Sequence, residues 1–304
     1  MEHDEQKLKL GILGLSEGNG HPYSWSAIFN GYDPEAMRTC PFPVIPEYLG
    51  RQRFPDDSIA EATVTHIWTQ ERTISEHVAR ASRIPNVVDR YEDMIGQVDG
   101  ILLARDDAEN HLTMSEPFLR AGLPVYIDKP LALTRKEADR IYLRQKYDGQ
   151  IFTCSALAFS KELMLTPEDR ARLGSIGRIE GSTMKDWPKY SPHIIEPVLN
   201  IIGDQGAITD FHVSQSPAGM KTVEVAWETD LETSFSALGP HTRSIEIIVI
   251  GDRSLKRLVF ADSFGAFKAA LQAFIDGIQK RRPPISREFV MKVISIIEAG
   301  MTHE

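Results

Sequence analysis

The chain has 304 residues, 42% hydrophobic and 25% charged, with a formal net charge of −9. That is an ordinary globular composition, long enough for two medium domains. Its charges are interspersed, no apolar run nears the ~18 residues of a membrane span, and "MEHDEQKLKLG" lacks a signal-peptide pattern, so the sequence argues against nucleic-acid and membrane partners and for a cytoplasmic protein.

In chain order, "KLKLGILG" predicts a short buried strand over Leu8–Leu13, then a glycine-rich turn, then a helix opening near Pro22, where a missing N–H costs nothing. The proline-rich insertion that follows, residues 38–58, exceeds a usual connection and is expected to be functional or a lid. After it come strand "ATVTHIW", helix "ISEHVARAS", short strand "NVVD", helix "YEDMIG", strand "VDGILLA", helix "HLTMSEPFLRAG" and strand "PVYID". Each strand is a continuous apolar run, as a parallel sheet covered on both faces requires.

Beyond Thr134, an N-cap for the helix "RKEADRIYLRQKY", the pattern changes. "QIFTCSALAF" is strand-like with Cys154 as a core residue; the other cysteine, Cys40, is far away, so reduced thiols and no metal site are expected. "TVEVAWETD", "LETSFSAL" and "RSIEIIVIG-DRS-LKRLVF" alternate in character and predict antiparallel strands. Two helices, "FGAFKAALQAFIDGIQK" and "SREFVMKVISIIEAGM", close the chain. The expected class is α/β: a doubly wound Rossmann domain over residues 1–130 and an α+β domain with a mostly antiparallel sheet over residues 131–304.

Four constellations bear chemistry. Gly14, Ser16, Gly18, Asn19 and Gly20 form the turn after the first strand, where glycines let the backbone approach a pyrophosphate. The dinucleotide fingerprint GxGxxG is not met, because Ser16 replaces the second glycine and the turn is longer. At the end of the second predicted strand stand Thr69, Gln70, Glu71 and Arg72; Glu71 would suit a ribose 2′-OH, Gln70 with Arg72 a 2′-phosphate, so NAD and NADP both remain open. The strand over Val125–Ile127 ends in Asp128-Lys129-Pro130, and a lysine at the carboxyl end of a parallel strand can stabilise charge developing on an alkoxide or carbonyl oxygen. Finally, "MKDWPKYSPHIIEPVLNIIG" predicts a helix capped by Ser191, with Ile194, Ile195, Val198 and Leu199 on its apolar side and His193, Glu196 and Asn200 on its polar side. A histidine in the first turn feels the positive helix end, which favours its neutral, proton-accepting form.

The glycine turn, the strand ending in Asp128-Lys129-Pro130 and the helix opening with His193 together resemble the Gfo/Idh/MocA family of oxidoreductases. Residues 98–139 are similar to the family's fourth strand through its Glu-Lys-Pro motif, with His111 at the family's histidine position; residues 267–300 resemble its closing helices. The resemblance implies a Rossmann domain binding NAD or NADP beside Ser16, His111 and Asp128, and a second domain that carries substrate and makes a homodimer or homotetramer. It implies that Lys129 contacts substrate and nicotinamide after a cis bond to the proline, and that His193 accepts the proton as hydride leaves a sugar or polyol carbon. Two departures stand out. Asp128 replaces the usual glutamate, and Lys189 stands where an aspartate commonly precedes the histidine by four residues. With Lys185 and Asp186 nearby, the expected substrate is anionic, and Trp187 and Tyr190 are expected to stack on it. Some relatives use transient redox in lyase or glycosidase reactions, and a regulatory protein that keeps the fold without catalysis is the alternative of another class.

Overall fold

The computed structural model describes residues 7–280 and 282–301. The chain divides into two compact units: the first contains the residues up to Leu131, Asp139–Thr153 and Leu271–Ser286, the second Ala132–Ala138, Cys154–Ala270 and the residues from Arg287.

The first unit is built on β1 (Leu8–Leu13), β2 (Ala62–Trp68), β3 (Asn86–Val87), β4 (Gly100–Leu103), β5 (Val125–Ile127) and β6 (Ile151–Phe152), in the order β3-β2-β1-β4-β5-β6. Every pairing is parallel. Leu10, Ile12, Leu13, Ile101, Leu102, Leu103 and all of Val125–Ile127 are fully buried, which is why these strands are continuous apolar runs. The order reverses between β1 and β4, so the loops after these two strands flank the switch point where open α/β sheets take their ligands. The helices are α1 (His21–Asn30), α2 (Pro34–Met37), α3 (Val44–Leu49), α4 (Arg72–Ala81) and α5 (His111–Ala121).

The proline-rich insertion is partly helical. It contains α3, with Ile45 and Leu49 buried, and Phe42 and Ile45 stand so near Gly20 that a Cβ there would come within 2.6 Å of each. His77 of α4 fastens it, with Nδ1 2.6 Å from the Tyr23 hydroxyl and Nε2 2.8 Å from Thr39 Oγ1.

The expected single boundary at residue 130 is corrected. Ile151–Phe152 joins the first sheet as its sixth strand, and the last part of the helix over Ser263–Lys280 supplies Phe274, whose ring lies 5.7 Å from Tyr126 and 5.8 Å from Phe152. The predicted strand "QIFTCSALAF" therefore stops at Phe152 and gives way to a 3-10 turn over Ala156–Phe159. "YEDMIG" is likewise a single 3-10 turn, Tyr91–Met94, and the helix from Arg135 ends at Tyr142.

After α6 (Arg135–Tyr142), the second unit contains α7 (Pro167–Leu173), β7 (Ile176–Thr183), α8 (Trp187–Tyr190), α9 (Pro192–Ile202), β8 (Ile208–Gln215), β9 (Lys221–Trp227), β10 (Glu232–Ala237), β11 (Glu246–Gly251), β12 (Leu255–Val259), α10 (Ser263–Lys280) and α11 (Arg287–Met301). The sheet order is β12-β11-β7-β10-β9-β8, antiparallel except for the β7–β10 pair. Its core joins one sheet face (Ile179, Val223, Val225, Phe235, Ile247, Val249) to α9 and α11. A Cβ at Gly181 would lie 3.0 Å from Ile194 Cβ, so the glycine in β7 allows α9 to pack closely on the sheet.

Candidate active site

In the first unit the loops at the carboxyl ends of the strands are tied together by polar side chains, several of them buried. The glycine turn is fastened at three points. Gln70 clasps Leu15, its Oε1 accepting the Leu15 N–H at 2.8 Å and its Nε2 donating to the Leu15 carbonyl at 2.7 Å. Ser16 donates from Oγ to Asp106 at 2.7 Å and accepts the Asp106 N–H at 3.1 Å. Asp128, at the end of β5, accepts from Asn19 Nδ2 at 2.9 Å and the Lys129 N–H at 2.8 Å, and its carboxylate lies 2.6 Å from His21 Nδ1.

Burial alone would raise the Asp128 carboxyl, but His21, through charge and hydrogen bond, together with Lys129 and Asn19 brings it down to about 2. An ionised carboxylate only accepts hydrogen bonds, so His21 presents Nδ1–H to it. His21 in turn stacks on Trp25 at 4.8 Å, and Trp25 on Tyr126 at 4.7 Å. Lys129, two residues past the end of β5, is 5% exposed, is joined to Pro130 by a cis bond, and has Nζ 3.8 Å from Asp106 Oδ2. After β4, Arg105 is held by Asp107, Nε to Oδ1 at 2.9 Å; hydrogen bonds from Arg105 and Asn110 outweigh burial and hold the Asp107 carboxyl below its usual range.

The turn fits a dinucleotide in shape. Gly18 has φ +76° and no atom within 4 Å of the position a Cβ would take, so its backbone is open to close approach, whereas the first N–H of α1, that of His21, is already accepted by Asn19 Oδ1 at 2.8 Å. The residues expected along the cofactor divide into two sets. Gly14, Ser16, Gly18, Asn19 and Asp128 are together at the switch point. Gln70 is occupied with Leu15, and Arg72 is on the surface, paired with Glu76 and Asp89. His111 corrects the expectation of direct contact: it has no exposed surface, and its ring nitrogens lie 2.8 Å from the Arg105 carbonyl and 3.1 Å from the Leu131 carbonyl. It joins the loop after β4 to the loop after β5.

In the second unit the chain stays helical from Trp187 through Ser191 (φ −58°, ψ −35°) into α9. Ser191 therefore makes no side-chain cap, contrary to the sequence expectation; Asp186 caps the run, accepting the Lys189 N–H at 3.0 Å. His193 is the second residue of α9, in the first turn of that helix as expected. Its Nδ1 is 2.7 Å from Ser155 Oγ. Lys185 adopts φ +61°, a left-handed conformation uncommon outside glycine, with backbone bonds to Gly239 at 3.1 and 3.2 Å. That turn sets its Nζ at the Tyr190 hydroxyl and 4.5 Å from the Tyr190 ring centre, and the ring is edge-on to His193 at 5.2 Å. Lys185, Tyr190 and His193 thus converge. Trp187 does not join them: it is 3% exposed, and its Nε1 donates to the Ile297 carbonyl at 2.9 Å, so it anchors α11 and cannot stack on a ligand.

Sequence reasoning missed His21, Asp106 and Ser155. Each is polar, buried or half-buried, and next to a turn or strand end, but only the fold supplies the partners. Among the described residues no group of His, Cys, Asp and Glu could hold a metal ion, and no helix is long and apolar enough to cross a membrane.

Residues 49–155 match the model of an oxidoreductase family with an NAD-binding Rossmann fold, GFO_IDH_MocA. The resemblance to the Gfo/Idh/MocA family is borne out over that segment, and with it the dinucleotide expectation. Among curated proteins no match was found. The structure is similar to that of scyllo-inositol dehydrogenase from Lactobacillus casei (TM-score 0.70, 14% identity, 99% of this chain and 98% of that one). It is also similar to myo-inositol 2-dehydrogenase from Lactobacillus plantarum (0.70, 14%, 97% and 96%) and to levoglucosan dehydrogenase in complex with NADH and levoglucosan (0.70, 13%, 97% and 96%). At these identities the likeness is one of fold.

Proposed function

We propose, from the match of residues 49–155 to that oxidoreductase family, that this protein is an NAD(P)-dependent dehydrogenase acting on a hydroxyl carbon of a sugar, sugar acid or polyol. The observation that carries the reading is Lys129, a buried lysine at the carboxyl end of a central strand with Asp106 3.8 Å from its Nζ. A donor fixed there stabilises negative charge on a reacting oxygen without having to reorganise. The nicotinamide, when bound, supplies the hydride acceptor. In the first unit Lys129 can donate to an oxygen on which negative charge develops, and in the second His193 can take a hydroxyl proton on its ring. Gly14 and Gly18 would hold the pyrophosphate.

The convergence of Lys185 with Tyr190 and His193, and Lys189 in the same helical run, supports an anionic substrate such as a sugar acid or sugar phosphate. The test is turnover of a panel of neutral and acidic sugars. Lys129→Ala and His193→Ala should each lower kcat by about 10²–10⁴-fold while NAD(H) binding persists. Wild-type turnover retained in both variants would defeat the assignment.

One observation favours a second reading, a cofactor-binding protein without turnover: Lys189 stands four residues before His193, where the family commonly has an aspartate. Cofactor binding with no oxidation of any sugar in the panel would select it.

A further inference from the structure

The first unit holds a cavity of about 740 Å³ at the amino-terminal ends of β1 and β2, the opposite end of the parallel sheet from Lys129. Lys7 precedes β1, Ala62 and Thr63 open β2, and one wall is the last part of the proline-rich insertion, with Phe54 and Ser58. Asn30, the last residue of α1, fixes the floor. Its Oδ1 accepts the Val64 N–H and the Thr63 hydroxyl, each at 3.0 Å, and its Nδ2 donates to the Val64 and Arg83 carbonyls at 2.8 and 3.2 Å, which uses its full bonding capacity.

Gly31, with φ +69°, leaves a gap where a side chain would stand. The point its Cβ would take is 3.8 Å from Arg83 Nη1 and 3.9 Å from Phe54 Cδ1, so the guanidinium and the ring face the same space. Tyr32 stands edge-on to Phe54 with ring centres 5.5 Å apart. The charge is one-sided: Lys7 and Arg83 stand at the exposed edge, and among the described residues no Asp or Glu lines the cavity, although the chain carries a net charge of −9. Among the described residues the Arg83 guanidinium and the Tyr32 and Ser58 hydroxyls have no hydrogen-bond partner. Donors, aromatic walls and positive charge therefore meet in one cavity of a size that suits a small molecule.

We propose that this cavity binds a small anion bearing a planar ring, an aromatic phosphate or carboxylate. Arg83 takes the anionic group with its paired N–H donors, Lys7 adds charge, and the ring lies against Phe54 and Tyr32. The site is separate from the glycine turn, because α1 begins at that turn and ends here, about 15 Å further on. Its ligand takes no part in hydride transfer, and the inference stands independently of the dehydrogenase reading.

The experiment is a phosphorus NMR titration of the full chain with phenyl phosphate and, separately, with inorganic phosphate. Phenyl phosphate should bind saturably, about threefold or more tighter than inorganic phosphate because of its ring. Excess NADH should leave its Kd unchanged. Arg83→Asn, which tolerates the left-handed backbone of φ +53°, should weaken binding about tenfold or more. Lys7→Gln, outside any helix or strand, should weaken it about threefold and replaces the first variant if that one does not fold. Absence of saturable binding, displacement by NADH, inorganic phosphate binding as tightly as phenyl phosphate, or a wild-type Kd in the folded variants overturns the proposal.

Discussion

Asp128→Asn removes one charge and keeps the shape of the group that fastens the glycine turn to β5. The folded-state pKa of Asp128, about 2, lies below its ordinary value of 3.8. A depressed carboxyl contributes stability at pH values above the unfolded pKa and loses it as pH falls through the folded one. The difference of roughly two units corresponds to about 2 kcal/mol at neutral pH, and the residue is buried, so solvent screening takes little from it. The contribution is essentially complete above about pH 5, is roughly halved near pH 3 and disappears below about pH 2. Asp128→Asn should thus be less stable than the wild type by about 2 kcal/mol at pH 7, with the gap shrinking to about 1 kcal/mol at pH 3. Guanidinium unfolding followed by Trp fluorescence measures both values, and Trp25, stacked between His21 and Tyr126, reports on this region directly. Equal stabilities at pH 7, or a gap that stays constant down to pH 3, would refute the reasoning.

Gly300→Ala should destabilise the second unit by about 1–3 kcal/mol, because the new methyl would lie 2.2 Å from Trp187 Nε1 and 2.3 Å from Cε2 of a ring already fixed by Ile297. Differential scanning calorimetry should show Tm lowered by roughly 2–4 °C per kcal/mol, and an unchanged Tm would mean that Trp187 can move aside. Gln70→Ala should weaken NADH binding about five- to tenfold by releasing the Leu15 clasp that pre-shapes the turn. Calorimetric titration giving the wild-type Kd would show that the clasp has no part in ligand binding.

The first sheet was legible because β1, β4 and β5 are buried on both faces and must be apolar throughout. In the second, β7 ("IGRIEGST") and β8 ("ITDFHVSQ") escaped notice for different reasons. The glycines of β7 look like turn residues until α9 is packed against Gly181, and β8 is an edge strand whose residues are half-buried or exposed. The chemical residues were legible where a motif carries them: Lys129 after an apolar strand, His193 at a predicted helix start. Their partners were not, because tertiary pairing brings them from afar. Asn19 and Asp128 are 109 residues apart, Ser155 and His193 are 38, and no local pattern links either pair. Trp187 shows the converse. Beside lysines and a tyrosine it resembles a sugar-stacking residue, yet its indole N–H finds the Ile297 carbonyl and its ring belongs to the core.

The central claim, that the lengthened glycine turn between β1 and α1 still holds a nicotinamide dinucleotide, is tested most directly by titrating the purified protein with NADH and with NADPH while following Trp quenching and nicotinamide emission. Saturable binding of at least one of them is predicted, with the one that binds more tightly fixing the role of Gln70 and Arg72. Failure of both to bind would show that the bonds from Gln70, Asp106 and Asp128 close the turn instead of shaping it, and would contradict the account.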